Sequence, residues 1–275
     1  VNMCIYHGNC ADGFGAAWVV RKALGDIEFH AGKYNSPPPD VTGKDVVMVD
    51  FSYKRPVLLA MAEQANSILI IDHHKTAIED LVDLPANVTT QFALDHSGAM
   101  LTWHHFFPEQ EPPTLLRHIE DRDLWRFALP GTRQIQASVF SFPYNFAVWD
   151  ALMTARMDAL GVEGQAIERK HFKDIRELLV ETTREMVICG HRVPVANLPY
   201  TMSSDAGAEL AKGRPFAACY FDTPGGRVFS LRSSNEGEDV SEVAKQYGGG
   251  GHRNAAGFRV SFAQAQEFEI SFEDQ

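Results

Sequence analysis

The stretch that most constrains this chain is Ile68-Leu69-Ile70-Ile71-Asp72-His73-His74-Lys75, an apolar run of strand length that ends abruptly in an acid and two adjacent imidazoles. A run rich in Ile with no helical period reads as a strand buried on both faces, the kind found inside a parallel sheet. Polar groups gathered at the C-terminal end of such a strand lie where open α/β sheets bind their ligands. The same design recurs upstream. Val46-Val47-Met48-Val49 delivers Asp50, and Met3-Cys4-Ile5-Tyr6 delivers His7, followed closely by Asp12-Gly13. Three predicted strands therefore end in imidazoles and carboxylates, donors that suit Mn(II), Fe(II), Co(II) or Zn(II). A carboxylate among them can bridge two ions held about 3.5 to 4 Å apart, a spacing that serves phosphoryl chemistry.

Between these runs the chain alternates strand and helix patterns, which predicts an α/β fold with a mainly parallel sheet and flanking helices. Gly13 to Leu24 reads as a helix, Asp26 to Phe29 as a short strand, Pro56 to Ala65 as a helix with Pro in its first turn, and Ser67 to Asp72 as a strand. Ala99 to Phe107 reads as a helix capped by Ser97. Its His104-His105 pair is expected to be packed or solvent-facing, and His30, His118, His171 and His191 carry no functional claim. Ala147 to Leu160 and Glu163 to Met186 read as helices, the second with Ile167, Ile175, Leu178 and Leu179 on one face. From Cys189 the pattern restarts as a smaller α/β domain: strand Val193 to Leu198, helix Ser204 to Lys212, a hairpin of Phe216 to Phe221 and Arg227 to Arg232, and helix Asp239 to Tyr247. The expected division is a first domain over 1–160, a helical linker over 161–186 and a second domain over 187–275.

Gly248-Gly249-Gly250-Gly251 allows positive φ and close backbone approach, so its N–H groups can face an anion while His252 and Arg253 add donors. Ala255-Ala256-Gly257 after it argues instead for tight packing. Arg232-Ser233-Ser234-Asn235, at the end of the hairpin, offers further contacts to a phosphate or sugar.

These residues resemble the DHH phosphoesterase family, named for the triplet seen here at Asp72-His73-His74. The resemblance covers nearly the whole chain. Its first motif is similar to His7-Gly8-Asn9-Cys10-Ala11-Asp12-Gly13, its second to Val49-Asp50-Phe51, and its fourth to Ile119-Glu120-Asp121-Arg122-Asp123. The signature of the DHH-associated substrate-binding domain resembles Gly248 to Gly257. The resemblance implies His7, Asp12, Asp50, His73 and Asp121 as metal ligands, with Asp50 bridging and Asp123 the rival to Asp121. It further implies His74 at the substrate phosphate, Asp72 orienting the imidazoles, and Arg232, Gly249, Gly250, Gly251, His252 and Arg253 binding substrate. The cofactor expected is a divalent metal, two Mn(II) ions first, with Co(II), Fe(II), Mg(II) or Zn(II) compatible. Many members carry two acids in the first motif, one residue apart. This chain has a single Asp12 there, so one ion loses a carboxylate ligand or Cys10 or Asn9 replaces it, and a thiolate would favour a softer ion.

The implied activity is hydrolysis of short oligonucleotides or dinucleotides by a metal-activated water. A polyphosphate or pyrophosphate phosphatase and a nucleotide-binding sensor without turnover are the alternatives. A net charge of −11 argues against extended duplex nucleic acid as the main partner, because duplex binding neutralises many phosphates at once. A short anionic substrate stays compatible, since metals and a few Arg residues invert the field locally. Four cysteines without C-x-x-C spacing read as reduced thiols, and no run approaches the roughly 18 apolar residues of a membrane span. With no basic start of a signal peptide, the cytoplasm is the expected location and no membrane partner is expected. The oligomeric state stays open, a homodimer included.

Overall fold

β-branched runs too short to bury a helical face become strands wherever neighbours can cover both of their sides. The computed structural model describes residues 1–34 and 36–269. It divides into two units, Val1–Glu168 and a second from Arg169 onward. The first unit runs β1 (Met3–His7), α1 (Ala11–Leu24), β2 (Glu28–Gly32), β3 (Asp45–Val49), α2 (Arg55–Ala62), β4 (Ser67–Asp72), α3 (Lys75–Asp80), β5 (Val88–Phe92), α4 (Gly98–Phe106), α5 (Thr114–Asp123), α6 (Thr132–Val139) and α7 (Phe146–Thr154). Helix α8 (Met157–Thr182) contains the boundary.

The five strands are ordered β2-β1-β3-β4-β5 and every pairing is parallel. Alternation along each strand sends one set of side chains to each face. Met3, Ile5, Val46, Met48, Ile68 and Ile70 pack with Leu58 and Met61 of α2. Cys4, Val47, Val49 and Ile71 pack with α1, α4, α5, α6 and α7 on the other side. The register pairs Tyr6 with Val49 and Val49 with Ile71. The next residues, His7, Asp50 and Asp72, therefore emerge level with one another at the C-terminal edge.

The second unit contains β6 (Thr183–Ile188), β7 (His191–Asn197), α9 (Ser203–Leu210), β8 (Ala217–Thr223), β9 (Gly226–Arg232), α10 (Val240–Gln246), β10 (Gly250–His252), β11 (Ala255–Val260) and α11 (Phe262–Gln266). Its six strands are ordered β10-β11-β9-β8-β7-β6, all antiparallel except the β7–β8 pair. The molecule is thus α/β, with a five-stranded parallel sheet flanked by helices and a second sheet. No described helix is long and apolar enough to cross a membrane.

Two local expectations are corrected, and one strand was not anticipated. The helix expected over Ala147 to Leu160 breaks at Ala155, whose extended ψ of 154° separates α7 from α8. The helix expected to reach Met186 stops at Thr182, because Thr183–Ile188 pairs with β7 through a Cys189-Gly190 turn. Both turn residues have positive φ, 52° and 77°, as the tightest hairpins require. β5 escaped the sequence reading: Val88-Thr89-Thr90-Gln91-Phe92 has exposed threonines, as befits an edge strand.

Candidate metal centre

The polar ends of β1, β3 and β4 meet the N-termini of α1 and α4. Asp50 takes φ of 54°, a left-handed conformation unusual for a non-glycine residue, which turns its carboxylate back across the sheet edge. Gly98 makes room for it, since a Cβ there would lie 2.4 Å from the Cβ of Asp50. Gly13 likewise lets α1 start against β1, where a Cβ would lie 2.2 Å from the carbonyl oxygen of His7. That contact carries Asp12 to the centre, where its Oδ1 accepts from the Ala99 amide at 3.2 Å.

His73 Nε2 lies 3.1 Å from Asp50 Oδ1, 3.5 Å from Asp123 Oδ2 and 3.8 Å from Asp12 Oδ2. On the other side of Asp50, its Oδ2 lies 3.4 Å from His7 Nδ1. Donor atoms of Asp12, Asp50 and His73 fall within 4.8 Å of one another, and so do those of His7, Asp50 and His74. Asp50 belongs to both groups. Asp72 lies behind them: its Oδ1 accepts from the His73 amide at 2.8 Å and bonds His74 Nδ1 at 2.7 Å, while Oδ2 accepts from Ser52 at 2.5 Å. With Nδ1 engaged in this way, Nε2 is the nitrogen His74 presents outward.

The donor set fits a divalent cation. Asp12 Oδ2 and both oxygens of Asp50 are buried with no hydrogen bond, although a buried carboxylate oxygen ordinarily has a donor. The electrostatics agree. Burial and the charges of Asp50 and Asp123 push the Asp12 carboxyl well above its usual range. Burial also raises Asp123, reinforced by Asp50 and opposed by His73. Burial would lower His73, yet the adjacent Asp50 carboxylate and the charges of Asp123 and Asp12 raise it well above the usual imidazole value. His7 is raised against burial by Asp50 and by the nearby Cys10 thiol. Asp50 is held far below the carboxylate range, its burial outweighed by His7 and His73. Asp72 is lowered too, burial losing to its pairing with His74. The centre thus gathers negative charge that protons offset in part, and a cation could take their place.

His7, Asp12, Asp50, Asp72, His73 and His74 come together as described. Asp121 does not join them. Its carboxylate accepts from the amides of Ala128 at 2.8 Å and Leu129 at 3.0 Å and from the Thr132 hydroxyl at 2.5 Å. Two residues on a helix are about 200° apart, so only one of the pair reaches the centre, and Asp123 is that one. Of the two first-motif candidates, Asn9 is exposed with φ of 62°, whereas Cys10 is partly buried and raises the pKa of His7. Ser52 was missed, since nothing in a lone Ser after a strand marks it as the partner of Asp72.

In the second unit the glycine run is part of the sheet. Gly250, Gly251 and His252 pair with Gly257, Ala256 and Ala255, and a Cβ on Gly249 would lie 2.0 Å from the Gly257 carbonyl oxygen. Arg253, expected to bind substrate, also has a structural partner. Its Nη2 donates to the carbonyls of Asn235 at 3.3 Å and Gly237 at 3.0 Å, tying down the loop between β9 and α10. Arg232 donates to the Leu231 carbonyl and to Ser204 Oγ, both at 2.8 Å. His252 is half-buried.

No known protein-family profile matches the chain. It is 30% identical over 287 aligned positions to the uncharacterized protein R106 of Acanthamoeba polyphaga mimivirus, covering 95% of this chain and 68% of that protein. Among solved structures it is similar to PggH, a pGpG-specific phosphodiesterase from Vibrio cholerae, with a TM-score of 0.50 and 13% identity over 97% of this chain and 95% of that one. An exopolyphosphatase-related protein from Bacteroides fragilis aligns over 94% of this chain and 86% of its own, with a TM-score of 0.42 and 13% identity.

Proposed function

We propose that this chain, which belongs to the same family as the mimivirus protein R106, is a divalent-metal-dependent phosphodiesterase acting on short oligonucleotides or dinucleotides. The observation that carries this reading is Asp50, buried without a hydrogen bond and shared by the His7/His74 and Asp12/His73 groups. His7, Asp50 and His74 would hold one ion and Asp12, Asp50, His73 and Asp123 the other. Mn(II) suits these nitrogen and oxygen donors, and the Cys10 thiol beside His7 adds a softer atom. Such a pair supplies Lewis-acid activation of the phosphoryl oxygens and of the attacking water. The residues supply placement: Asp72 sets the His74 ring, and Gly98 and Gly13 let two helix N-termini close on the carboxylates. The DHH-like fold, also that of a pGpG phosphodiesterase, supports a phosphodiester bond as the target. The strands that end in these residues are short and level, so the groups meet at one point, which suits a small substrate better than a long track.

The test is turnover of a panel containing pApA, longer oligonucleotides, cyclic dinucleotides, 3′-phosphoadenosine 5′-phosphate and polyphosphate, with Mn(II) added. Cleavage of the shortest nucleotides that stops on chelation is expected. Full activity in protein shown by elemental analysis to be metal-free would refute the reading. Preferred cleavage of polyphosphate would reassign the substrate, and binding without turnover would mark a sensor.

A further inference from the structure

Immediately after Asp123 the chain reads Leu124-Trp125-Arg126-Phe127, and two of these residues have backbones that bulky side chains rarely adopt: φ is 57° at Trp125 and 48° at Phe127. The conformation is held from outside. The Asp121 carbonyl accepts from the amides of Arg126 at 2.8 Å and Phe127 at 3.2 Å, and its carboxylate binds the two amides that follow. Asp121 is therefore the post on which this loop is wound.

The loop sets an indole in the open. Trp125 is 38% exposed, whereas Trp18, Trp103 and Trp149 are 7%, 2% and 0% exposed. Guanidinium carbons of Arg122 and Arg133 lie 5.9 and 5.8 Å from the Trp125 ring, and the Phe127 ring stands edge-on to it at 5.0 Å. Phe140, 44% exposed, carries Arg122 over its own ring at 4.5 Å. A cluster serving only to stabilise the surface would have little reason to hold two aromatic residues in a strained backbone and leave the largest of them in water. Arg133 sits closer still over the Phe127 ring, at 3.7 Å. A partly exposed indole with guanidinium groups within 6 Å of it is what stacks a nucleobase while favouring the adjoining phosphate. In a chain of net charge −11, arginines beside a carboxylate cluster also give an anion a local reason to approach.

We propose that Trp125, with Phe127, Phe140, Arg122 and Arg133, forms a nucleobase-stacking subsite beside the metal centre. It rests on the phosphodiesterase reading and specifies the substrate further: a short nucleotide with a base next to the bond cleaved. The alternative occupant, another protein or a second copy of this chain, is an outcome of the test.

Because the other tryptophans are buried, Trp125 dominates quenching by small solutes. AMP titrated into the full chain in EDTA, where no turnover occurs, should quench the exposed-tryptophan emission, and ribose 5-phosphate should not. By calorimetry Trp125→Ala should weaken AMP binding about tenfold, within the range for a lost base–aromatic stack, and Trp125→Phe should restore most of it. Unchanged AMP affinity in Trp125→Ala overturns the subsite, as does equal binding of ribose 5-phosphate. So does a change in oligomeric state with AMP binding intact, which would assign the patch to protein contact. Quenching by AMP in a protein that cleaves no phosphodiester keeps the subsite and removes the phosphodiesterase reading. Dinucleotide cleavage with a KM indifferent to Trp125→Ala does the reverse.

Discussion

Asp121 and Asp123 show how much a two-residue step on a helix decides. Both are acids at the end of α5, but one meets two amides of the following loop and the Thr132 hydroxyl at the start of α6, and the other meets His73. Their substitutions should therefore fail differently. Asp123→Asn removes a charged donor from the centre and should weaken Mn(II) binding by about tenfold or more, with little loss of thermal stability. Asp121→Asn turns the acceptor that holds the loop amides of Ala128 and Leu129 partly into a donor. It should cost about 1.5 to 3 kcal/mol in unfolding free energy and leave Mn(II) affinity nearly intact. Calorimetric metal titration alongside denaturant unfolding separates the two, and equal loss of metal in both would show that both acids are ligands.

At the scale of elements, what cannot be read locally is pairing. Thr183–Ile188 carries on from a long helical pattern and becomes strand only because β7 folds back on it through Cys189-Gly190. The glycine run looks like an anion-binding loop in sequence, and its last two residues, Gly250 and Gly251, enter the sheet as part of β10, with Gly249 and Gly251 nearer to β11 than a Cβ would allow. Gly249→Ala should accordingly destabilise the second unit by about 3 kcal/mol, since its methyl would collide with the Gly257 carbonyl rather than with a movable side chain. A melting temperature equal to that of the parent chain would contradict this packing.

For the whole molecule, the centre predicts how stability follows pH when metal is withheld. In the fold His7, His73, Asp12 and Asp123 all bind protons more tightly than usual. The folded state then holds more protons than the unfolded one, whose carboxyls and imidazoles titrate near about 4 and 6.5. Stability from these groups is complete below those values and is lost as pH rises through the raised ones. Asp50 and Asp72 are lowered and act oppositely, but their contribution is already complete above about pH 5. His105 and His118 are lowered by burial and oppose this only up to the ordinary imidazole value. Chelated protein should thus lose stability as pH rises above about 6.5, and Mn(II) should flatten the slope by replacing the protons. A denaturation midpoint that rises with pH in EDTA would show that the carboxylates are not gathered as described.

The strand run Ser67–Asp72 and its Asp-His-His ending were determined by the sequence alone, because an uninterrupted apolar run states its own burial and its polar end can only lie at the sheet edge. The same holds for β1 with His7 and β3 with Asp50, and for Ser97 as a helix cap, which accepts from the Met100 amide. Only the tertiary structure decided which acid of α5 faces His73, that Ser52 supports Asp72, that Arg253 serves a loop, and that Trp125 stands exposed on a strained turn. Those facts depend on helix phase and on contacts between residues far apart in the chain, and a local pattern of residue types carries neither.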